Sequence, residues 1–308
     1  MGFRNLLLLF ALAAIWGASF LFIKIAVAEV SPLALATSRV ELGSLGLVAY
    51  AATTRLRFPP LTGGPGRPMW QSCLFLGAFG GVFPYLLINW SELHIASAAA
   101  AILNATSPLF SSLFGHVLGR WGSEERLTSG RAAGLLLGLV GVAVLVGGSE
   151  GAQRIGSGGA LEVAGYLAVV AASASYAVGG LFARLAFAGM SPVVPAIGQN
   201  LGGAVLLLPI GLTVGRPAAW PSAEVMGSML ALGLGGTAFA YLIYYRLIAN
   251  VGATRTLAVT YLLPVTAIGY GAVLLGETLT PWMLAGLALI LAGVGLTTGS
   301  VRLGRRGG

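Results

Sequence analysis

Ten apolar runs of helix length follow one another through this chain, at 5–28, 33–53, 69–90, 94–119, 131–148, 161–186, 190–214, 223–249, 252–276 and 281–299, separated by short polar breaks. A run of ~20 apolar residues crosses the hydrocarbon of a bilayer as a helix, which satisfies its own backbone groups where water cannot. Only 8% of the residues are charged, whereas roughly a quarter are in a soluble domain. The sequence therefore predicts an all-α integral membrane protein of ten transmembrane helices with no soluble domain. Breaks are marked by Ser31-Pro32, by the Pro- and Gly-rich loop at 55–68, by Ser191-Pro192 and by RPAAWP at 216–221. The first run contains Lys24 and leads straight into the next span, so it reads as a retained helix and not as a cleaved leader.

The net charge of +8 is a topology signal. With the N-terminus inside, Arg4, Arg55, Arg57, Arg67, Arg120, Arg126, Arg131, Arg246, Arg255, Arg302, Arg305 and Arg306 all fall on the cytoplasmic side. Only Lys24, Arg154 and Arg216 flank the outer face. That asymmetry predicts both termini in the cytoplasm and gives no reason to expect a nucleic-acid partner. The single cysteine, Cys73, excludes an intramolecular disulfide and argues against a cysteine-based metal site.

A repeat runs through the chain. The stretch from Gly252 to Thr280 has a blurred copy from Ala96 to Thr128, each with a proline inside an apolar run, Pro108 and Pro264. Such a proline removes a backbone donor and frees the carbonyl four residues back, here Asn104 and Thr260. Trp16, Lys24 and Ser31-Pro32 precede Tyr176, Arg184 and Ser191-Pro192 by 160 positions; Tyr85 and Pro108 precede Tyr241 and Pro264 by 156; Glu125 and Thr128 precede Glu277 and Thr280 by 152. A unit of five helices is odd, so its second copy must enter the membrane upside down. Two inverted five-helix repeats result, 1–148 and 161–300, with a linker at 149–160 and a basic tail at 301–308. Paired helix interruptions in inverted repeats point to a solute site at the seam between the halves.

Within hydrocarbon, polar side chains should face the bundle interior or a watered cavity. That filter selects Trp16 and Ser19 on helix 1, Tyr85 and Asn89 on helix 3, Asn104 on helix 4, Ser173 and Tyr176 on helix 6, Tyr241 and Tyr245 on helix 8, and Thr260 on helix 9. Tyr85 and Asn89 are four apart and share a helix face, as do Tyr241 and Tyr245. Gln199 and Asn200 on helix 7 lie opposite Arg39 in the repeat and could join them. Rings, amides and hydroxyls with little charge suit a small amphipathic solute such as an amino acid. They could equally bridge helices or form interfacial belts.

Arg39 and Glu41 share helix 2 but point about 200° apart, so they are not expected to pair. Arg39 either holds a substrate carboxylate or serves structurally, by snorkelling to the outer interface or as one member of a structural pair, the simpler expectation. Glu41 is the candidate proton-coupling acid. Glu92 and His94, in the turn between helices 3 and 4, read as a solvated loop. Glu125 and Glu277 read as caps of the helices that follow them. Gly134, Gly138 and Gly141 on helix 5 and Gly286 and Gly293 on helix 10 form flat stripes for close packing or for a dimer face.

The run TAFAYLIYYRLIANVGATRTLAVTYLLPVTAIGYGAVLLGETLT at 237–280 resembles the signature of the EamA family in the drug/metabolite transporter superfamily. ASAAAAILNATSPLF followed by EERLT is similar to its first copy, so the resemblance covers nearly the whole chain as two EamA units. Within that family it looks most like the bacterial aromatic amino-acid exporters. The resemblance implies a cavity lined by helices 1, 3, 4, 6, 8 and 9, with helices 5 and 10 peripheral. It also implies a secondary transporter exporting small metabolites, amino acids included, across the inner membrane by alternating access. A drug or lipophilic-cation effluxer of the same superfamily is the alternative and should show a central acid.

Gly147-Gly148-Ser149-Glu150-Gly151 matches G-x-S-x-G but lacks the strand-to-helix elbow that a nucleophile needs. The chain has no aspartate, no H-E-x-x-H and no phosphate loop with lysine. A membrane-embedded enzyme or assembly factor is thus disfavoured, and no cofactor or metal is expected. The expected partners are a small-molecule substrate and membrane lipid, with a homodimer compatible but not required.

Overall fold

The structure, a computed structural model, describes residues 2–56, 58–60, 68–117, 128–148, 159–213, 219–256 and 258–299. Among them only helices and turns occur. Arg57, Arg67, Arg120, Glu125, Arg126, Arg154, Arg216, the linker at 149–158, most of the G-x-S-x-G match and the tail at 301–308 lie outside the described residues.

The helices are α1 (Phe3–Ala26), α2 (Pro32–Thr54), α3 (Met69–Ser91), α4 (Ser97–Val117), α5 (Ser129–Gly147), α6 (Ala160–Ala186), α7 (Val193–Thr213), α8 (Ala223–Val251), α9 (Val259–Leu274) and α10 (Pro281–Thr298). A single helical turn, Ala253–Thr256, leads into α9. Eight of them are long and apolar enough to cross a membrane. α9 is apolar but has 16 residues, and α2, with Arg39, Glu41 and five Ser or Thr among 23 residues, is not among the eight. The chain is an all-helical integral membrane protein.

Local chemistry sets the ends. Ser31 caps α2 by accepting from Ala34 N, and Pro32 follows at the first helical position, where its missing N–H costs nothing. Thr128, Ser222 and Thr280 cap α5, α8 and α10 in the same way. Glu277 does not cap the helix that follows it, because Thr280 already does. Its carboxylate instead reaches across to the start of α4, accepting from Ser97 N at 2.7 Å, Ala98 N at 3.1 Å and Ser97 Oγ at 3.1 Å. The exposed amides of a helix N-terminus favour an anion there.

Pro108 breaks α4 into Ser97–Asn104 and Ser107–Val117. The carbonyl it frees on Asn104 accepts from Ser107 Oγ at 2.8 Å and from Ser173 Oγ of α6 at 3.5 Å. Pro264 instead lies inside a continuous α9, so the two copies of the motif are not identical in shape.

Close contacts fix how the helices run. A Cβ on Gly165, near the start of α6, would lie 3.4 Å from the Ser91 carbonyl and 3.0 Å from Ile95 Cγ2. Lys24, near the end of α1, donates to the carbonyls of Glu92 and Ile95. The end of α1 therefore meets the start of α6 at the α3–α4 turn, and the two helices run in opposite directions. At the other end of the bundle Gly198 of α7 meets Cys73 of α3 and Phe187 of the α6–α7 turn. Glu92 thus marks one end of the bundle, the Glu92 end, and Phe187 the other, the Phe187 end.

The glycine stripes of α5 and α10 face each other within the chain. A Cβ on Gly134 would lie 2.6 Å from the Gly293 carbonyl, and one on Gly141 would lie 2.9 Å from that of Gly286. Lipid chains are as apolar as leucine, so backbone-to-backbone approach of this kind, and not exclusion from water, draws membrane helices together.

Candidate functional site

A cavity of about 570 Å³ lies between the two halves, lined by residues from α1, α2, α3, α4, α6, α7, α8 and α9 and none from α5 or α10. Ile23 and Ile88 line it towards the Glu92 end. From there it passes a polar band and reaches Phe187, Met190 and Pro192 in the α6–α7 turn.

The band is built by irregularity in two helices. α3 widens into a π-turn at Ala78–Val82 and α8 into a longer one at Ala231–Phe239. A π-turn disrupts the ordinary backbone ladder and often marks a functional site. Here the released groups bond across the seam. Gln199 Nε2 of α7 donates to the Gly80 carbonyl at 2.7 Å and to Tyr241 Oη at 2.8 Å, while Trp16 Nε1 of α1 donates to the Gly236 carbonyl at 3.2 Å. Gly80 and Gly236 are 156 positions apart, the same offset as Tyr85 and Tyr241.

Those glycines also open windows. A Cβ on Gly80 would lie 2.8 Å from Gln199 Oε1, and one on Gly236 would lie 2.9 Å from Ser19 Oγ and 3.9 Å from Arg39 Nη2. The second helix of each half thus passes one polar side chain, Arg39 or Gln199, beside a glycine of the other half's third helix. That is why α2 and α7 join the six helices that the family resemblance implied. Arg39 and Gln199 are themselves 160 positions apart.

Arg39 is turned inward and is 8% exposed, so it does not snorkel. Its Nε donates to Thr237 Oγ1 at 3.2 Å and its guanidinium lies 4.3 Å from the centroid of the Tyr85 ring. Thr237 is its only hydrogen-bond partner among the described residues, and no described carboxylate is within ion-pair reach. An arginine inside a membrane bundle without an acid is expensive, which makes Arg39 a candidate functional group. The described cavity lining contains no Asp or Glu.

Aromatic rings make the rest of the wall. Trp16 meets Tyr241 edge-on at 6.4 Å and Tyr244 at 5.4 Å, Tyr241 stacks on Tyr245 at 6.0 Å, and Tyr85 meets Tyr176 at 6.5 Å. Of the residues selected from sequence, Trp16, Ser19, Arg39, Tyr85, Asn104, Tyr176, Gln199, Tyr241, Tyr245 and Thr260 line the cavity.

Four selected residues lie elsewhere. Ser173 is fully buried and donates to the Leu103 carbonyl in the α4 break. Asn89 shares the face of Tyr85 but lies a turn nearer the Glu92 end, beyond Ile88, where its Nδ2 donates to the Pro32 carbonyl. Asn200 is a residue round α7 from Gln199 and donates to Ala196 O in its own helix. Glu41 sits half-buried on α2, turned away from Arg39, and is not in the lining. Tyr244, Ser107 and Arg184 also line the cavity and were not selected as site residues. Tyr244 was within reach of sequence reasoning as the i+3 neighbour of Tyr241, and Arg184 as the repeat partner of Lys24.

Known proteins resemble this chain over nearly its whole length. A probable amino-acid metabolite efflux pump of Salmonella typhimurium is 26% identical over 305 residues, covering 94% of this chain and 93% of the relative. A probable terminal-alkyne amino-acid exporter of Streptantibioticus cattleyicolor is 30% identical over 291 residues, covering 94% and 92%. The uncharacterized inner membrane transporter YedA of Escherichia coli is 28% identical over 304 residues, covering 97% and 93%. A solved crystal structure, 22% identical, matches the fold with a TM-score of 0.65 over 97% of this chain and 99% of that one. The sequence profile of the EamA-like transporter family matches twice, at 4–147 and 163–299, and the chain belongs to that family.

Proposed function

We propose that this chain exports small carboxylate-bearing metabolites, amino acids with aromatic side chains among them, across a bacterial inner membrane by alternating access. Arg39 is the observation that carries the reading. It stands without an acid among rings, facing a cavity of suitable size, and a guanidinium binds a carboxylate through paired N–H groups. Trp16, Tyr241, Tyr244 and Tyr245 offer area and ring faces to a side chain and an ammonium. The seam is symmetric in backbone but carries arginine on one side and glutamine on the other, which orients a zwitterion. A cation effluxer needs an acid in the cavity, and the described lining offers none. The names of the Salmonella and Streptantibioticus relatives point the same way.

The mechanism rests on ten spans in two inverted repeats, 1–148 and 161–300. The double match of the family profile supports this, as do the constant offsets and the opposite directions of α1 and α6. With both termini in the cytoplasm, the Phe187 end faces inward, and the Glu92 end, where Glu92, Ile95 and Ala98 to Ala100 are all buried, is read as the sealed one. A homodimer is not required, because the glycine stripes are occupied within the chain.

Proteoliposomes loaded with radiolabelled tryptophan, methionine or threonine test the reading. Protein-dependent efflux of tryptophan is expected, with ethidium retained. Retention of all three amino acids while ethidium leaves would replace this function with cation efflux.

A further inference from the structure

The sealed end holds a carboxyl that the transport chemistry above does not use. Glu92 follows the last turn of α3 and is 0% exposed, and neither of its carboxyl oxygens has a hydrogen-bond partner. The nearest ammonium is committed elsewhere: Lys24 Nζ donates to the backbone carbonyls of Glu92 and Ile95, at 2.5 and 2.9 Å, and closes the C-terminal end of α3. Glu277 is bound to the start of α4. Arg39 lies on the cavity side, and His94, two residues on, rests its ring against Trp90. α6 packs here through Gly165, with Glu162 accepting from Tyr166, and Glu29 in the α1–α2 turn accepts from Ser222 N.

Removing an ionised carboxylate from water without a partner costs several kcal/mol, far more than removing the neutral acid. Burial pushes the Glu92 carboxyl well above the ordinary range; Lys24 and Arg39 oppose the rise and Glu277 adds to it. Ile88, one turn before Glu92, lines the cavity, so Glu92 sits one turn beyond the lining, within the seal.

We propose that Glu92 is a proton-binding site within the seal: covering its carboxyl takes one proton from the solvent on that side, and opening the seal returns it. This rests on the alternating-access reading, since a seal that never opened would exchange nothing. The linkage has a definite sign. The closed state holds the proton more tightly, so it is fully favoured below the ordinary carboxyl range and loses that advantage as pH rises towards the raised value. Between those limits the opening equilibrium should grow about tenfold per pH unit.

The test places a thiol in the seal, as Ile95→Cys in a Cys73→Ser background of the full chain in nanodiscs. Ile95 is 3% exposed, so a maleimide reaches the new thiol only when the seal opens. Each labelling rate is divided by that of glutathione at the same pH, which removes thiol ionisation. The expected result is a normalised rate that climbs with pH, approaching tenfold per unit, and a low, flat profile in Glu92→Gln, whose side chain stays neutral. Glu41→Gln should keep the climbing profile.

A flat profile with Glu92 in place overturns the proposal, as does the same climb in Glu92→Gln. Should Glu92→Gln fail to fold, the profile of the Glu92 protein against glutathione decides alone. If Ile95→Cys never reacts at any pH in protein that transports tryptophan, the seal does not open and alternating access falls with the proposal. If it reacts with no pH dependence, alternating access stands and only the proton site falls.

Discussion

The proposed recognition of a carboxylate turns on one side chain, Arg39. Its Nε is engaged by Thr237 and its face by Tyr85, which fixes the guanidinium while leaving donors towards the cavity. A charge-assisted hydrogen bond contributes about 1.5–3 kcal/mol, so Arg39→Gln should lower kcat/KM for tryptophan by roughly 10- to 150-fold. Tryptamine, which has no carboxylate, should lose little. Arg39→Lys should fall between, because a lysine keeps the charge but not the planar fork or the ring contact. A counterflow assay with both solutes checks this; equal losses for both would show that Arg39 supports the fold and does not read the carboxylate. At this scale the sequence told which residues were polar at mid-span, and lipid leaves such residues few places to point. It could not tell which way Arg39 turned, because the helix offers a full circle and Thr237 is 198 positions away. Glu92 escaped for the same reason: a polar turn reads as solvated until α1, α4 and α6 are known to close over it.

Elements carry their information in the places where regular geometry fails. Pro108 announced a freed carbonyl at Asn104, and Ser107 and Ser173 satisfy it. The π-turns of α3 and α8 were not legible in the sequence. A π-turn is one extra residue held in by its neighbours, and a stretch such as LGLGG at 232–236 gives no periodicity from which to read it. Their carbonyls at Gly80 and Gly236 accept from Gln199 and Trp16, and both bonds cross the seam. Two bonds that join the halves near a cavity closed at one end should hold this state against the opposite one. Losing one such bond shifts the balance by about 1 kcal/mol, or roughly fivefold. Gln199→Leu and Trp16→Phe should each raise the labelling of Ile95→Cys by that factor at fixed pH, and together by about the product. Unchanged labelling in both would show that the bonds persist in every state and act only as struts.

Over the whole molecule, the proposed mechanism depends on how the two halves are oriented. Five helices per unit, offsets that drift only from 160 to 152 and the distribution of arginines all called for a second half turned over relative to the first. The end of α1 and the start of α6 meet at the Glu92 end, so these two helices run in opposite directions. The glycine stripes were legible as packing faces but not as partners, because a stripe carries no address; only the fold pairs α5 with α10. Inversion makes a prediction that an unrelated bundle with both termini inside does not. The segment joining α5 to α6 must emerge on the side opposite both termini, at the Glu92 end, after an odd number of crossings. A short epitope inserted at 152 should therefore be reached by antibody from the outer side of intact spheroplasts, while tags at either terminus are reached only after the membrane is permeabilised. If the epitope at 152 and the terminal tags become accessible together, the first half crosses an even number of times, the second is not its inverted copy, and Arg39 and Gln199 cannot be equivalent positions facing one solute.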